Sequence, residues 1–316
     1  MAYTIFFSLF FFLILVGVPI AYSLGLSSAF LIVFHLKLPL VLVSQQMFAA
    51  VDSFSFLAIP FFMLAGAFMS YGGVTRRLIN FAHSIVGSLK GGLAQVVAVS
   101  GMFFGAISGS SAATTAAIGS IMIDEMEKKG YDKEFTAGVV AAGGMVGIII
   151  PPSITLVVYG VIAGVSIGDL FLGGFGPGIL MGISMCVLSY FICRKRGWGG
   201  EGTFSVKNVI KSFFDSFWAL LTPVIILGGI YGGIFTPTEA AAVASIYGLI
   251  IGFFVYKELK LKDLPKIISK AVYSTTVIMF IIATAKVFGW ILTNAEIPQK
   301  IGAFVATIAP NEYIFL

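Results

Sequence analysis

Long apolar runs, one after another, constrain this chain more than any other feature. Residues 3–18, 20–35, 54–71, 177–193, 213–232, 237–256 and 271–292 each form such a run. A helix that crosses a bilayer needs about 20 mainly apolar residues. Inside lipid, every backbone polar group must be paired within a helix or a closed barrel. These runs are continuous and do not alternate with period two, so they predict helices. Composition agrees, with 59% hydrophobic and 10% charged residues, whereas a soluble domain carries about a quarter charged. The expected fold class is an all-α polytopic membrane protein whose first partner is the lipid bilayer. The first run has no basic leader and no clear cleavage site, so it is expected to stay as a span.

The net charge of +5 does not point to nucleic acid, because the basic residues sit in short loops beside apolar runs. Arg76, Arg77, Lys90, Lys128, Lys129, Lys133, Arg194, Lys195, Arg196 and the five lysines of 257–270 are expected on the cytoplasmic side. That is consistent only if residues 91–124 return to the side they entered from, and it places the N-terminus outside. Residues 75–89 are amphipathic and predict a helix lying on the membrane face. Cys186 and Cys193 stand two helical turns apart in one apolar run, a spacing unsuited to a disulfide.

Two apolar stretches are broken by polar or helix-breaking residues. Residues 91–124 carry Ser108, Gly109, Ser110 and Ser111 at their centre, followed by Thr114. With like-charged ends, this predicts a re-entrant hairpin turning at the serines. Residues 135–165 are interrupted by Gly143, Gly144, Gly147, Pro151, Pro152 and Ser153. Proline removes a backbone donor and clashes with the preceding turn, so the helix should unwind there. Helix ends leave backbone groups unpaired. With the hydroxyls they offer hard oxygens for Na⁺, and the start of the returning half-helix suits a carboxylate. The competing view is that the serines only pack helices, but three within four residues exceed what packing requires.

Other residues are less decisive. Thr236 or Thr238 could cap a helix with Glu239 in its first turn, or the group could lie on an ion path. Lys286, inside an apolar run, is either functional or reaches toward the surface. His83, Asp52 and Asp169 are expected at surfaces. No phosphate loop and no nucleophile–base constellation occurs, so a permease is expected rather than an enzyme.

The chain also repeats itself. Pro19 and Pro237 open runs 218 residues apart, and residues 74–78 resemble 297–301 at an offset of 223. The loop charges give the two copies opposite orientations, which predicts an inverted repeat of the kind secondary transporters use. The second copy should then continue into a hairpin and broken helix of its own, so the sequence is expected to be C-terminally truncated. The expected organisation is 1–90, scaffold spans and first amphipathic arm; 91–175, half of a transport domain; 176–270, connecting and scaffold spans; 271–316, start of the second arm.

Ile59-Pro60-Phe61-Phe62, Ser108-Gly109-Ser110-Ser111-Ala112-Ala113-Thr114, Ile150-Pro151-Pro152-Ser153 and Thr236-Pro237-Thr238-Glu239-Ala240-Ala241 resemble the large membrane subunit of tripartite ATP-independent periplasmic (TRAP) transporters. The resemblance implies Na⁺-coupled symport of an organic acid such as a C4-dicarboxylate or sialic acid, by an elevator motion. It implies a small membrane subunit and a periplasmic substrate-binding protein as partners. On that pattern Ser108, Ser110, Ser111, Gly147, Pro151 and Ser153 help form a Na⁺ site. Ser108, Gly109, Ser110, Ser111, Thr114 and Ser153 line the substrate site. The alternatives are a divalent anion–Na⁺ symporter that needs no binding protein, an intramembrane enzyme, and a structural scaffold.

Overall fold

The computed structural model describes residues 2–200 and 203–308. No strand occurs among them. The helices are α1 (Ala2–Leu15), α2 (Ile20–Phe30), α3 (Val41–Val51), α4 (Ala58–Tyr71), α5 (Val74–Val86), α6 (Gly92–Ser108), α7 (Ser111–Lys128), α8 (Lys133–Val146) and α9 (Ile154–Ala163). They continue with α10 (Ile167–Arg196), α11 (Val206–Tyr231), α12 (Pro237–Ile250), α13 (Leu264–Asn294) and α14 (Ile297–Ile308). Among the described residues five stretches, Phe54–Tyr71, Ile167–Arg196, Val206–Tyr231, Pro237–Val255 and Leu261–Asn294, are long and apolar enough to cross a membrane. In α10 only 17% of the most apolar window is buried. Many of its large side chains, Leu180 and Phe191 among them, are exposed, while Phe171 is buried, as expected of a helix with one face solvated by lipid. The chain is therefore a multi-span helical membrane protein.

Three elements differ from expectation. Helix α1 has 14 residues, about 21 Å at 1.5 Å per residue, because Gly17 turns left-handed (φ 90) and Pro19 follows. Helix α10 starts at Ile167, ten residues before the expected 177, capped by Ser166 Oγ, which accepts from Asp169 N–H at 3.2 Å. Pro177 lies inside it, a position that membrane helices tolerate when neighbours compensate. Helix α5 does not give its apolar face to lipid. Val74, Leu78, Ile79, Phe81 and Ala82 are buried, and α5 packs on α6 and α11.

The chain divides into two compact units, residues 1–53 with 276–316, and residues 54–275. They are units of packing, and the boundary at 275 falls within α13. In the first, Phe6, Leu31, Ile32, Val287 and Ile291 form the core, and the Phe6 and Phe288 rings lie 4.6 Å apart. In the second, Leu78, Val96, Val97, Phe104, Ile118, Met122 and Val140 draw α5, α6, α7 and α8 around one core.

The sequence repeat has structural counterparts. Helices α2 and α12 both end in a π-helical turn, Leu31–His35 and Ile251–Val255. A left-handed lysine follows each, Lys37 (φ 54) and Lys257 (φ 55), and such residues are uncommon outside glycine. Both features repeat at an offset of 220. Gly73 (φ 82) and Glu296 (φ 55), 223 residues apart, precede α5 and α14 in the same way. In the larger unit Ser245 Oγ donates to Phe61 O at 2.6 Å. The equivalent positions in the smaller unit are Gly25 and Thr284, where a Cβ on Gly25 would meet Thr284 Cγ2 at 3.3 Å. Each unit thus pairs a proline-started helix of one copy with a span of the other.

Candidate functional site

Helix α6 ends at Ser108, and Gly109 turns the chain with φ 61. Ser110 is the N-cap of α7, its Oγ accepting from Ala113 N–H at 3.4 Å. The expected hairpin is thus a helix–turn–helix whose turn lies at the serines. Inside the turn three oxygens converge. Thr114 Oγ1 donates to Ser110 O at 2.8 Å, and Ser108 Oγ lies 2.9 Å from Thr114 Oγ1 and 3.4 Å from Ser110 O. Ser108 and Thr114 are 1% and 0% exposed, so this is a dry cluster of neutral, hard oxygens.

The chain opens after α8 at Gly147 and closes again at Ser153, the N-cap of α9. Ser153 Oγ donates to Ile148 O at 2.6 Å and accepts from Leu156 N–H at 3.4 Å, which ties the unwound segment to both sides of the break. The Pro151–Pro152 peptide is cis. The break and the turn are joined directly, as Ile154 N–H donates to Gly109 O at 3.1 Å. A Cβ on Gly109 would stand 2.7 Å from Pro152 O and 3.2 Å from Ile154 N. Only glycine combines that φ with that approach.

A seam of small residues holds the two elements in register. A Cβ on Gly105 would sit 2.5 Å from Gly147 Cα, one on Gly101 2.4 Å from Gly143 O, and one on Gly147 2.6 Å from Thr114 Oγ1. On the other side, a Cβ on Gly66 of α4 would touch Ser108 Cα and Cβ at 3.3 Å. The structure therefore brings together Ser108, Gly109, Ser110, Thr114, Gly147 and Ser153. Ser111 is the first residue of α7 and half-buried. Pro151 Cδ lies toward Gly174 of α10, while the carbonyl of Pro152 reaches the tip. Ser110 also borders a cavity of about 430 Å³.

The contact from Ile154 to Gly109 and the approach of Gly66 had no signal in the sequence. The seam did have one, since Gly101–Gly105 and Gly143–Gly147 are both glycine pairs four apart, the spacing that lets membrane helices pack closely. Outside the site, Thr236 and Glu239 form a capping box. Glu239 Oε2 accepts from Thr236 N–H and from its hydroxyl at 2.8 Å, and Thr236 Oγ1 accepts from Glu239 N–H at 3.3 Å. Their role here is to start α12. Lys286 is exposed on α13, and His83 is half-buried rather than fully at the surface.

A buried polar turn docked on a proline-broken helix, within a bundle whose outer faces are apolar, is the arrangement of a membrane permease. The family model described as "Tripartite ATP-independent periplasmic transporter, DctM component" matches residues 7–316, and the chain belongs to that family. It is 47% identical to the isethionate TRAP transporter permease protein DctMQ of Oleidesulfovibrio alaskensis, over 96% of this chain and 48% of that protein. It is 43% identical to the C4-dicarboxylate TRAP transporter large permease protein DctM of Pseudomonas aeruginosa, over 93% and 69% of the two chains. With the sialic acid TRAP transporter large permease protein SiaM of Vibrio cholerae it shares 40% identity, over 96% and 71%. The chain thus spans about half the length of the first and about seven tenths of the other two.

Proposed function

We propose that the chain is the permease part of a Na⁺-coupled secondary transporter that imports an organic acid across the bacterial inner membrane, with its N-terminus in the periplasm. The substrate is a small carboxylate such as a C4-dicarboxylate or sialic acid, the compounds that name two of the relatives. A periplasmic binding protein delivers it and a small membrane subunit completes the complex. The fused name DctMQ of one relative favours such a second membrane component. Residues 91–175 supply half of a mobile transport domain, and the remaining spans serve as scaffold and arm.

One contact carries most of this reading: the Ile154–Gly109 hydrogen bond, which makes the serine turn and the broken helix a single polar unit. Its oxygens, Ser108 Oγ, Thr114 Oγ1 and the Ser110 carbonyl, are neutral and hard, a donor set suited to a monovalent cation. Ser110, Ser111, Gly147, Pro151 and Ser153 belong to the same proposed coordination region. A cation there adds to the partial positive charge at the start of α7, and that combined field attracts a carboxylate. Ion and substrate then favour each other's binding, which is the basis of coupling.

The test is uptake by the permease complex reconstituted in liposomes. The expected result is organic-acid uptake driven by an inward Na⁺ gradient and dependent on the binding protein. Na⁺-driven uptake without a binding protein would instead favour the divalent anion–Na⁺ symporter alternative.

A further inference from the structure

The cavity of about 430 Å³ beside Ser110 extends well past the hairpin tip. Ser110, the N-cap of α7, and Ser120 within α7 both line it, ten residues apart, or about 15 Å along a helix. Its far wall comes from α4, with Ser70 and Tyr71, and from the start of α13, with Lys270 and Ser274. Lys270 is the one charged residue in the lining. No carboxylate pairs with it among the described residues, and its Nζ lies 5.7 Å from the centroid of the Tyr71 ring. The rest of the lining is mainly Gly, Ala, Met and Phe with a few hydroxyls, so although Lys270 is itself exposed, its ammonium sets up a positive potential that the low-dielectric walls focus.

We propose that this chamber is a second anion site, in which Lys270 holds a carboxylate of the organic acid between the hairpin tip and the cytoplasmic side. The proposal rests on the organic-acid permease function above. Lys270 donates to the carboxylate, Ser70, Ser120 and Ser274 offer hydroxyls along the path, and Ser110 links the chamber to the tip. In plain structural terms Lys270 would only be a snorkelling surface lysine, and the two views differ in a measurable way.

Two measurements on the reconstituted complex decide it. In the first, exchange is followed with succinate or sialic acid inside the liposomes. Lys270→Gln should raise the internal half-saturation on the order of fivefold, the effect of one partly screened charge at close range. Lys270→Arg should restore it, and the Na⁺ half-saturation should stay within about twofold of wild type in both. In the second, Ser120→Cys is labelled with anionic and cationic methanethiosulfonate reagents, and the unsubstituted chain with Cys186 and Cys193 gives the background. Lys270→Gln should lower the anionic-to-cationic rate ratio several-fold. An unchanged half-saturation together with an unchanged ratio overturns the proposal. If the wild-type complex exchanges neither succinate nor sialic acid, the organic-acid function fails, and the labelling ratio alone decides whether the chamber attracts anions.

Discussion

Gly109 is the residue on which the tip depends. Its φ of 61 and the 2.7 Å approach of Pro152 O to a would-be Cβ leave no room for alanine. Gly109→Ala should cost about 1–2 kcal/mol from the left-handed backbone alone and more from displacing Pro152. Uptake should fall more than the thermal midpoint in detergent does, because the contact with Ile154 opens first. Equal uptake in wild type and variant would detach the tip–break contact from function. The tip was legible at residue level, since serines and a glycine between two apolar halves with like-charged ends favour a turn over a continuous span. The sequence could not tell which hydroxyls meet. Ser108 and Thr114 meet because they are six apart across the turn and both point inward, whereas Ser111 is carried into the first turn of α7. Long-range pairs such as Ile154 with Gly109 leave no periodic trace and were not legible.

At the scale of elements, the glycine seam and the capping box differ in whether transport should suffer along with stability. Gly105→Leu places a side chain against Gly147 Cα, and overpacking of that kind costs about 1–3 kcal/mol. It should lower both the thermal midpoint and uptake, since α6 and α8 can no longer approach. Thr236→Ala removes a cap worth about 1 kcal/mol. It should lower the midpoint slightly and leave the Na⁺ half-saturation unchanged; a shifted half-saturation would return Thr236 and Glu239 to an ion path. Most helices were legible from apolar run length, and the break after Val146 from Gly147, Pro151 and Pro152. The start of α10 was not, because proline at 177 reads as a first-turn residue when nothing shows the neighbours that accommodate it. The surroundings of α5 were not legible either. An amphipathic pattern says that one face is covered, but not whether lipid or α6 and α11 cover it.

At the scale of the whole molecule, two weak sequence offsets became a structural repeat. The paired π-helical turns and the left-handed Lys37 and Lys257 are local backbone signatures that the offsets alone did not reveal. They bear on function because a repeat places its polar breaks in equivalent positions. The oxygen cluster at the hairpin tip is then where coupling to Na⁺ should be most sensitive. The most direct measurement is the Na⁺ half-saturation of organic-acid uptake by the reconstituted complex carrying Ser108→Ala or Thr114→Val. Ser166→Ala, which removes a cap on α10 away from the tip, serves as the control. Each tip variant is expected to raise the Na⁺ half-saturation roughly tenfold, as loss of about 1.4 kcal/mol of ligand interaction would, with the control unchanged. Half-saturation equal to wild type in both tip variants would contradict a Na⁺ site at the hairpin tip.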